Sequence, residues 1–258
     1  MKKAIIITVG YLLILTGSHA QYTSFRAGAG SGLFHYYNIP EKGVREPYYS
    51  MFNFLPPSSG GYANDPRGDQ GSSSYQFRLV LQRTTRYHFI FGLGAGYESR
   101  TSRKEIRNAY DVATQNLYPA TGDCMLHNNL VFSTPFIGYE LVFGKTNIDI
   151  TMGFDLMFPV SDAHEVSVAT ITASGKLLHN DSHAHTQIGY DATDARMNYR
   201  VEILRRHWGI SFGYAHGIAN EAGGSGILGI GTGVGNYSRF IEAGIIYQAI
   251  FHRKHKTN

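Results

Sequence analysis

The sequence predicts an all-β chain closed into an antiparallel up-and-down transmembrane barrel of eight strands with long extracellular loops. Three observations carry this. Eight stretches alternate apolar and polar residues at period two, as strands with one face apart from the other must. Within them, charged residues share a face with glycines while aromatics crowd the opposite face, the reverse of a soluble barrel. Short turns and long connections alternate along the chain. Composition agrees, since 30 Gly, 18 Tyr and 15 Phe favour β-structure over a helical bundle.

The N-terminus comes first. Met1, Lys2 and Lys3 form a positive region, and residues 4–16 (AIIITVGYLLILT) form an apolar run too short to span a bilayer comfortably. Gly17, Ser18, His19 and Ala20 then offer small residues for cleavage, with Gln21 as the new N-terminus. Residues 1–20 are therefore expected to be a secretory signal peptide and residues 21–258 the barrel domain. Beyond the signal, no run of about eighteen apolar residues occurs, so spanning helices are not expected. The formal charge of +4 falls to +2 once the two lysines leave, and no basic block interleaves with aromatics, so nucleic acid is not a partner. Cys124 is the sole cysteine and cannot form an internal disulfide.

The first strand is expected over Phe25 to Tyr36, with Phe25, Ala27, Ala29 and Leu33 opposite Arg26, Gly28, Gly30 and Gly32. The second, Tyr75 to Gln82, sets Tyr75, Phe77, Leu79 and Leu81 against Gln76, Arg78 and Gln82, with Thr84 and Thr85 as the turn. The third, Tyr87 to Glu98, sets Tyr87, Phe89, Phe91, Leu93 and Tyr97 against His88, Glu98 and three glycines. The fourth, Val131 to Phe143, is phased by Glu140, which should not face lipid; Pro135 within it predicts a bulge or frayed end. Gly144, Lys145 and Thr146 turn the chain. The fifth, Asn147 to Phe158, sets Ile148, Ile150 and Met152 against Asp149, Thr151 and Asp155. The sixth, Ala195 to Leu204, sets Met197, Tyr199 and Val201 against Arg196, Asn198, Arg200 and Glu202. Arg205, Arg206 and His207 turn into the seventh, Trp208 to His216.

The eighth, Tyr237 to Phe251, reads YSRFIEAGIIYQAIF. Ile241, Ala243, Ile245, Tyr247 and Phe251 share one face; Ser238, Glu242, Gly244 and Gln248 share the other, with Phe240, Ile246 and Ile250 as apolar interruptions. The connections near residues 38–74, 99–129, 159–194 and 217–235 read as long loops. Short turns on one side and long loops on the other fit a bacterial outer-membrane barrel, its even strand number placing both termini in the periplasm.

This layout resembles the small eight-stranded outer-membrane barrels, in particular the PorT-like and related barrels of Bacteroidota. The closest motif is in the last strand, where Glu242-x-Gly244-x-x-Tyr247 followed by Phe251 is similar to the terminal signal read by the barrel-assembly machinery; Ala249 departs from the bulky residue usual there. The resemblance implies location in lipid and lipopolysaccharide, assembly by that machinery and membership of an outer-membrane complex, while functions within such folds diverge.

Arg26, Arg78, Arg196 and Arg200 are expected inside, against Glu98, Glu140, Asp149, Asp155, Glu202 and Glu242. Eight strands enclose a bore just wide enough for side chains, so this network reads as a plug. An ion pathway is the competing reading. The inward glycines of the first and third strands would leave room for arginine heads. His179, Asp181, His183 and His185 would share a face if extended and could then hold a borderline metal; the alternative is a solvated loop tip. No cofactor is implied.

His216 to Asn220 (HGIAN) is similar to the His-x-Ser-Asn stretch of lipid A deacylase barrels, but no Ser precedes Asn220 here; Ser211 and Ser225 are the nearby candidates. A lipid A-modifying hydrolase is thus the alternative to a non-enzymatic interaction module, and a narrow channel is the third reading. Gly229, Gly231, Gly233 and Gly235 lack the Lys and Ser/Thr of a phosphate loop. Val166 to Thr172, with Gly175 near its turn, predicts a hairpin outside the cell. The segment with Tyr48, Tyr49, Met51, Phe52 and Phe54 is rich in aromatics and reads equally as a lid over the mouth or as a surface for a partner or glycan.

Overall fold

A computed structural model of the chain describes residues 20–39, 49–50, 70–111, 116–171, 177–184, 194–218 and 235–252. All ten described elements are strands: β1 (Ala20–Ile39), β2 (Tyr49–Ser50), β3 (Gln70–Thr85), β4 (Phe89–Asp111), β5 (Asn116–Phe143), β6 (Thr146–Ile171), β7 (Leu177–Ala184), β8 (Asp194–Arg205), β9 (Trp208–Gly217) and β10 (Gly235–His252). Eight of them, β1, β3, β4, β5, β6, β8, β9 and β10, pair antiparallel with their chain neighbours, and β10 pairs with β1, so the ring closes without an edge. The chain is an eight-stranded antiparallel barrel. β2 and β7 lie off the ring.

The stagger of the ring sets its shape. Following paired residues from Gly32 leads to Glu242, Gly213, Arg200, Thr151, Gly138, Ile90, Thr84 and back to β1 at Tyr22, ten residues before the start. With a rise of roughly 3.3 Å per residue and roughly 4.8 Å between strands, that stagger tilts the strands by about 40°. Each of these nine residues lies on the inward face, so the circuit winds along the bore from its platform end to its short-turn end.

The predicted faces are those observed. Phe25, Leu33, Tyr75, Phe77, Leu79, Leu81, Phe89, Ile137, Ile150, Tyr199, Phe212 and Ile245 are exposed on the outside. Arg26, Gln82, Glu98, Glu140, Asp149, Arg200 and Gln248 are buried inside. The apolar interruptions of the last strand have a use: Phe240 and Ile246 point inward and are buried.

Three local expectations need correction. Thr84 and Thr85 end β3 rather than forming its turn; residues 86–88 turn the chain, with His88 at a φ of 66°, and β4 starts at Phe89. Thr84 cannot belong to a solvated turn because its side chain is buried in the bore. Pro135 causes no bulge. The β5–β6 ladder skips Thr134 and Pro135 and resumes at Phe136↔Gly153 in unchanged register; the shift instead falls between Asn129 and Leu130, where Val160 is the extra residue on β6. Finally, 99–129 is not a loop. β4 and β5 stay paired from Ser99↔Asn129 to Asp111↔Asn116, with one irregularity between Ile106 and Asn108.

The hairpin expected near Val166 to Thr172 is present, as β6 and β7 pair from His164↔Ala184 to Ile171↔Leu177. Together β2, β4, β5, β6 and β7 build a five-stranded platform that continues the barrel wall at the end away from the short turns. Thirteen residues of β4, from Ser99 to Asp111, give it about 40 Å of strand.

Candidate functional site: a sealed barrel and its platform

The bore is filled by a ladder of ion pairs. Near the short turns, Glu140 takes hydrogen bonds from the Tyr22 hydroxyl and from Asn147 Nδ2 at 3.0 Å, with His88 Nδ1 at 3.3 Å. One level up, the Arg26 guanidinium donates to Asp149 and to Glu202, each at 2.5 Å, and Gln82 adds a bond to Asp149 at 3.0 Å. Arg78 reaches the other oxygen of Glu202 at 2.7 Å, and Arg200 pairs with Glu242. Above them Arg196 grips Glu98 through two nitrogens, at 2.6 and 3.1 Å. Asp155 accepts bonds from Thr134 at 2.6 Å and Asn198 at 3.0 Å. At the top Arg100 donates to Asp194 at 2.7 Å.

Among the described residues, five arginines thus face seven carboxylates, and each carboxylate has a polar partner. Buried charges are tolerated only when paired in this way. Arg100 and Asp194 were missed by the sequence reading, because both lie just past the strand ends it drew.

An apolar cap closes the platform end. Phe34, Tyr36, Leu126, Ala215 and Phe240 cluster there, all buried. The Arg100 guanidinium lies over the Phe34 ring at 4.7 Å and the Tyr36 ring at 5.4 Å, so the topmost ion pair is roofed by aromatics. The glycines of β4 serve this filling in a way different from that expected. A Cβ at Gly92 or Gly96 would stand 2.5 or 2.6 Å from the ring of Phe136 or Phe132, so these glycines admit phenylalanines from β5. Gly94 does border an arginine, with Arg78 Cδ at 3.7 Å from where its Cβ would be. Among the described residues, cavities of about 20 and 10 Å³ lie near Arg78 and Glu202, each about the size of one water. The bore is a packed core.

The outer surface changes character along each strand. On β4 the outward residues Phe89, Phe91, Leu93, Ala95 and Tyr97 are followed by Ser99, Thr101, Arg103 and Glu105. On β5, Ile137, Pro135 and Val131 give way to Asn129, His127 and Asp123. The polar side chains bond across strands: Tyr97 to Asn129 at 2.7 Å, Asn129 to Ser161 at 2.9 Å, Thr101 with His127 at 2.9 Å, and Arg103 to Asp123 at 2.6 and 3.0 Å. Aromatics mark both limits of the apolar belt: Tyr87, Phe89, Phe143, Trp208 and Phe251 at the turns, Tyr37, Tyr75, Tyr97 and Tyr214 towards the platform. An apolar band bounded by two aromatic girdles, around a charged bore, is the surface of a barrel that spans a bilayer.

The other candidate residues are placed as follows. His216 faces outward on β9, its ring stacked on Tyr214 with centroids 6.5 Å apart. Ser211 faces the bore and is buried, so the two are not brought together; Ser225 lies outside the described residues. His179, Asp181 and His183 fall on β7, opposite Ala169, Ser167 and Glu165; only their backbone is described, and His185 lies outside. Tyr49 begins β2, paired with Ala109, while Tyr48, Met51, Phe52 and Phe54 lie outside the described residues, as do residues 1–19 and 219–234.

No protein-family model matches the chain, and no curated protein matches it. Among solved structures, it is similar to Ail, the attachment invasion locus protein of Yersinia pestis solved with the heparin analogue sucrose octasulfate: 9% identity, 89% of this chain and 99% of that one covered, TM-score 0.28. Neisserial surface protein A gives 9% identity, 88% and 97% coverage and a TM-score of 0.30. A deletion mutant of TodX, a monoaromatic hydrocarbon channel, gives 8% identity, 90% and 91% coverage and a TM-score of 0.28. At values this low, the fold of the chain rests on the strand pairing described above.

Proposed function

We propose that this chain is a non-enzymatic outer-membrane barrel that acts as a surface interaction module, or as a subunit of a larger outer-membrane complex, through its platform and long connections. The observation that carries this reading is the contrast between a sealed bore and a wall that continues past the apolar belt as paired strand. A filled bore gives no route for solutes. About 40 Å of polar, cross-bonded β-structure beyond the bilayer has to be accounted for, and a rigid display surface accounts for it. The short turns, and both ends of the closed ring, lie at the opposite end. In bacterial barrels that end faces the periplasm, which puts the platform outside the cell. Lipid and lipopolysaccharide surround the belt in this reading, and the barrel-assembly machinery handles the chain during biogenesis. Kinship with PorT-like barrels of Bacteroidota is part of the same proposal.

The test compares the tagged full chain with a version whose residues 104–124 are replaced by a two-residue turn. Both are purified from gently solubilised outer membranes and their companions identified by mass spectrometry. The expected result is a stoichiometric partner held by the full chain and lost from the shortened one, while both barrels show the same heat-modifiable gel migration. Identical companions from the two proteins, or assembly factors only, would overturn the platform reading. Discrete current steps from the full chain in planar bilayers would replace it with the channel.

A further inference from the structure

Where the apolar belt ends on the side of β1, β10 and β9, three basic residues stand in one row. His35 pairs directly with Arg239, and Arg239 with His216, all three on outward positions of neighbouring strands. Directly opposed residues have Cβ atoms about 5 Å apart, so one small anion can touch more than one of these side chains. The row sits immediately above Leu33, Ile241 and Tyr214, which belong to the apolar belt. The Arg239 guanidinium lies 4.2 Å from the centre of the Tyr37 ring, an arrangement that holds it at the belt edge.

Two atoms of this row are unsatisfied. Arg239 Nε and His216 Nδ1 are shielded from water, yet neither has a hydrogen-bond partner among the described residues. In the bore and on the platform arginines meet carboxylates. Here the outward residues around the row are Leu33, Tyr37, Met197, Tyr214, Tyr237 and Ile241, with no acid among those described. A guanidinium beside two histidines, with no carboxylate among the described outward residues around them, at the boundary between apolar and polar surface, matches a phosphate carried on an acyl-chain lipid.

We propose that this rim binds the phosphate head group of an anionic lipid, with Arg239 as the principal donor, His216 as the second, and the acyl chains lying against Leu33, Ile241 and Tyr214. The site is independent of what the platform binds. If the platform is extracellular, as proposed above, the lipid belongs to the outer leaflet.

The test is native mass spectrometry of the detergent-solubilised full chain titrated with dioleoyl phosphatidic acid and, separately, with dioleoylglycerol, which has the same tails and no phosphate. The wild type should retain phosphatidic acid preferentially. Arg239→Gln should weaken that retention roughly tenfold, whereas Arg239→Lys should keep most of it. Arg206→Gln, in the turn at the opposite end, should change nothing. All variants are checked for heat-modifiable migration before titration. Equal retention of the two lipids, or no effect of Arg239→Gln in a folded barrel, would overturn the proposal. Displacement of the lipid by millimolar inorganic phosphate would also overturn it, since the site would then be one for a free anion.

Discussion

Arg196→Met should destabilise the barrel by about 3–5 kcal/mol, measured by urea unfolding in lipid vesicles. The figure is that for breaking a buried pair from one side. Arg196 is chosen over the other arginines for what its loss leaves behind. Removing Arg26 would leave Asp149 with Gln82 and Glu202 with Arg78. Removing Arg196 strands Glu98, which is fully buried and takes a hydrogen bond from that guanidinium on each carboxylate oxygen. Asp155 and Asp194 each lie 4.0 Å from Arg196, but they keep Thr134 with Asn198 and Arg100 respectively. The double variant Arg196→Met with Glu98→Met should therefore recover most of the loss, because the unpaired charge goes with its partner. A single variant as stable as the wild type would mean that water reaches Glu98 and that the bore is open.

Leu79→Arg should cost about 2–4 kcal/mol in a bilayer, as cations do at mid-depth on the lipid face of a barrel. Leu79 is 55% exposed, opposite Ala27 and Ala95 in the middle of the belt. The same change at an exposed leucine of a water-soluble protein lies within about 0.5 kcal/mol. Thr101→Arg, on the outward face of β4 beyond the aromatic girdle, should stay within that smaller range. Equal costs at the two positions would mean that the belt does not face lipid.

These expectations depend on features that the sequence shows unevenly. All eight spanning strands and their faces were legible, because lipid outside and charge inside give the strongest contrast available to a period-two pattern. The platform was not. From Ser99 onward β4 is polar on both faces, with Thr101 and Arg103 outside and Arg100 and Ser102 inside, so the alternation that marks a strand is gone while the pairing continues. The β6–β7 hairpin was legible because Val166 and Val168 restore that contrast. The charged filling could be read from phase alone, since glutamate and arginine do not face lipid. Its ends could not: Arg100 and Asp194 join the ladder only because the strands run longer than the apolar pattern. Phe240 looked like an interruption for a related reason, and Phe34 and Tyr36 were assigned to neither face. A small barrel closes its mouth with aromatics, and a pattern that sorts apolar residues to the outside has no place for them.

Lipid is expected to end along β4 between Tyr97 and Ser99. Single cysteines placed one at a time from Phe89 to Arg103, with Cys124 replaced by Ser, can be spin-labelled and their collisions measured with oxygen, which concentrates in lipid, and with a nickel chelate, which stays in water. A two-residue period is expected from Phe89 to Tyr97, with oxygen reaching the odd positions and neither reagent reaching the even ones. From Ser99 the odd positions should switch to nickel while the period persists. Nickel access at the even positions below Tyr97 would contradict the sealed bore. Nickel access at the odd positions of that stretch would contradict the membrane-spanning barrel itself.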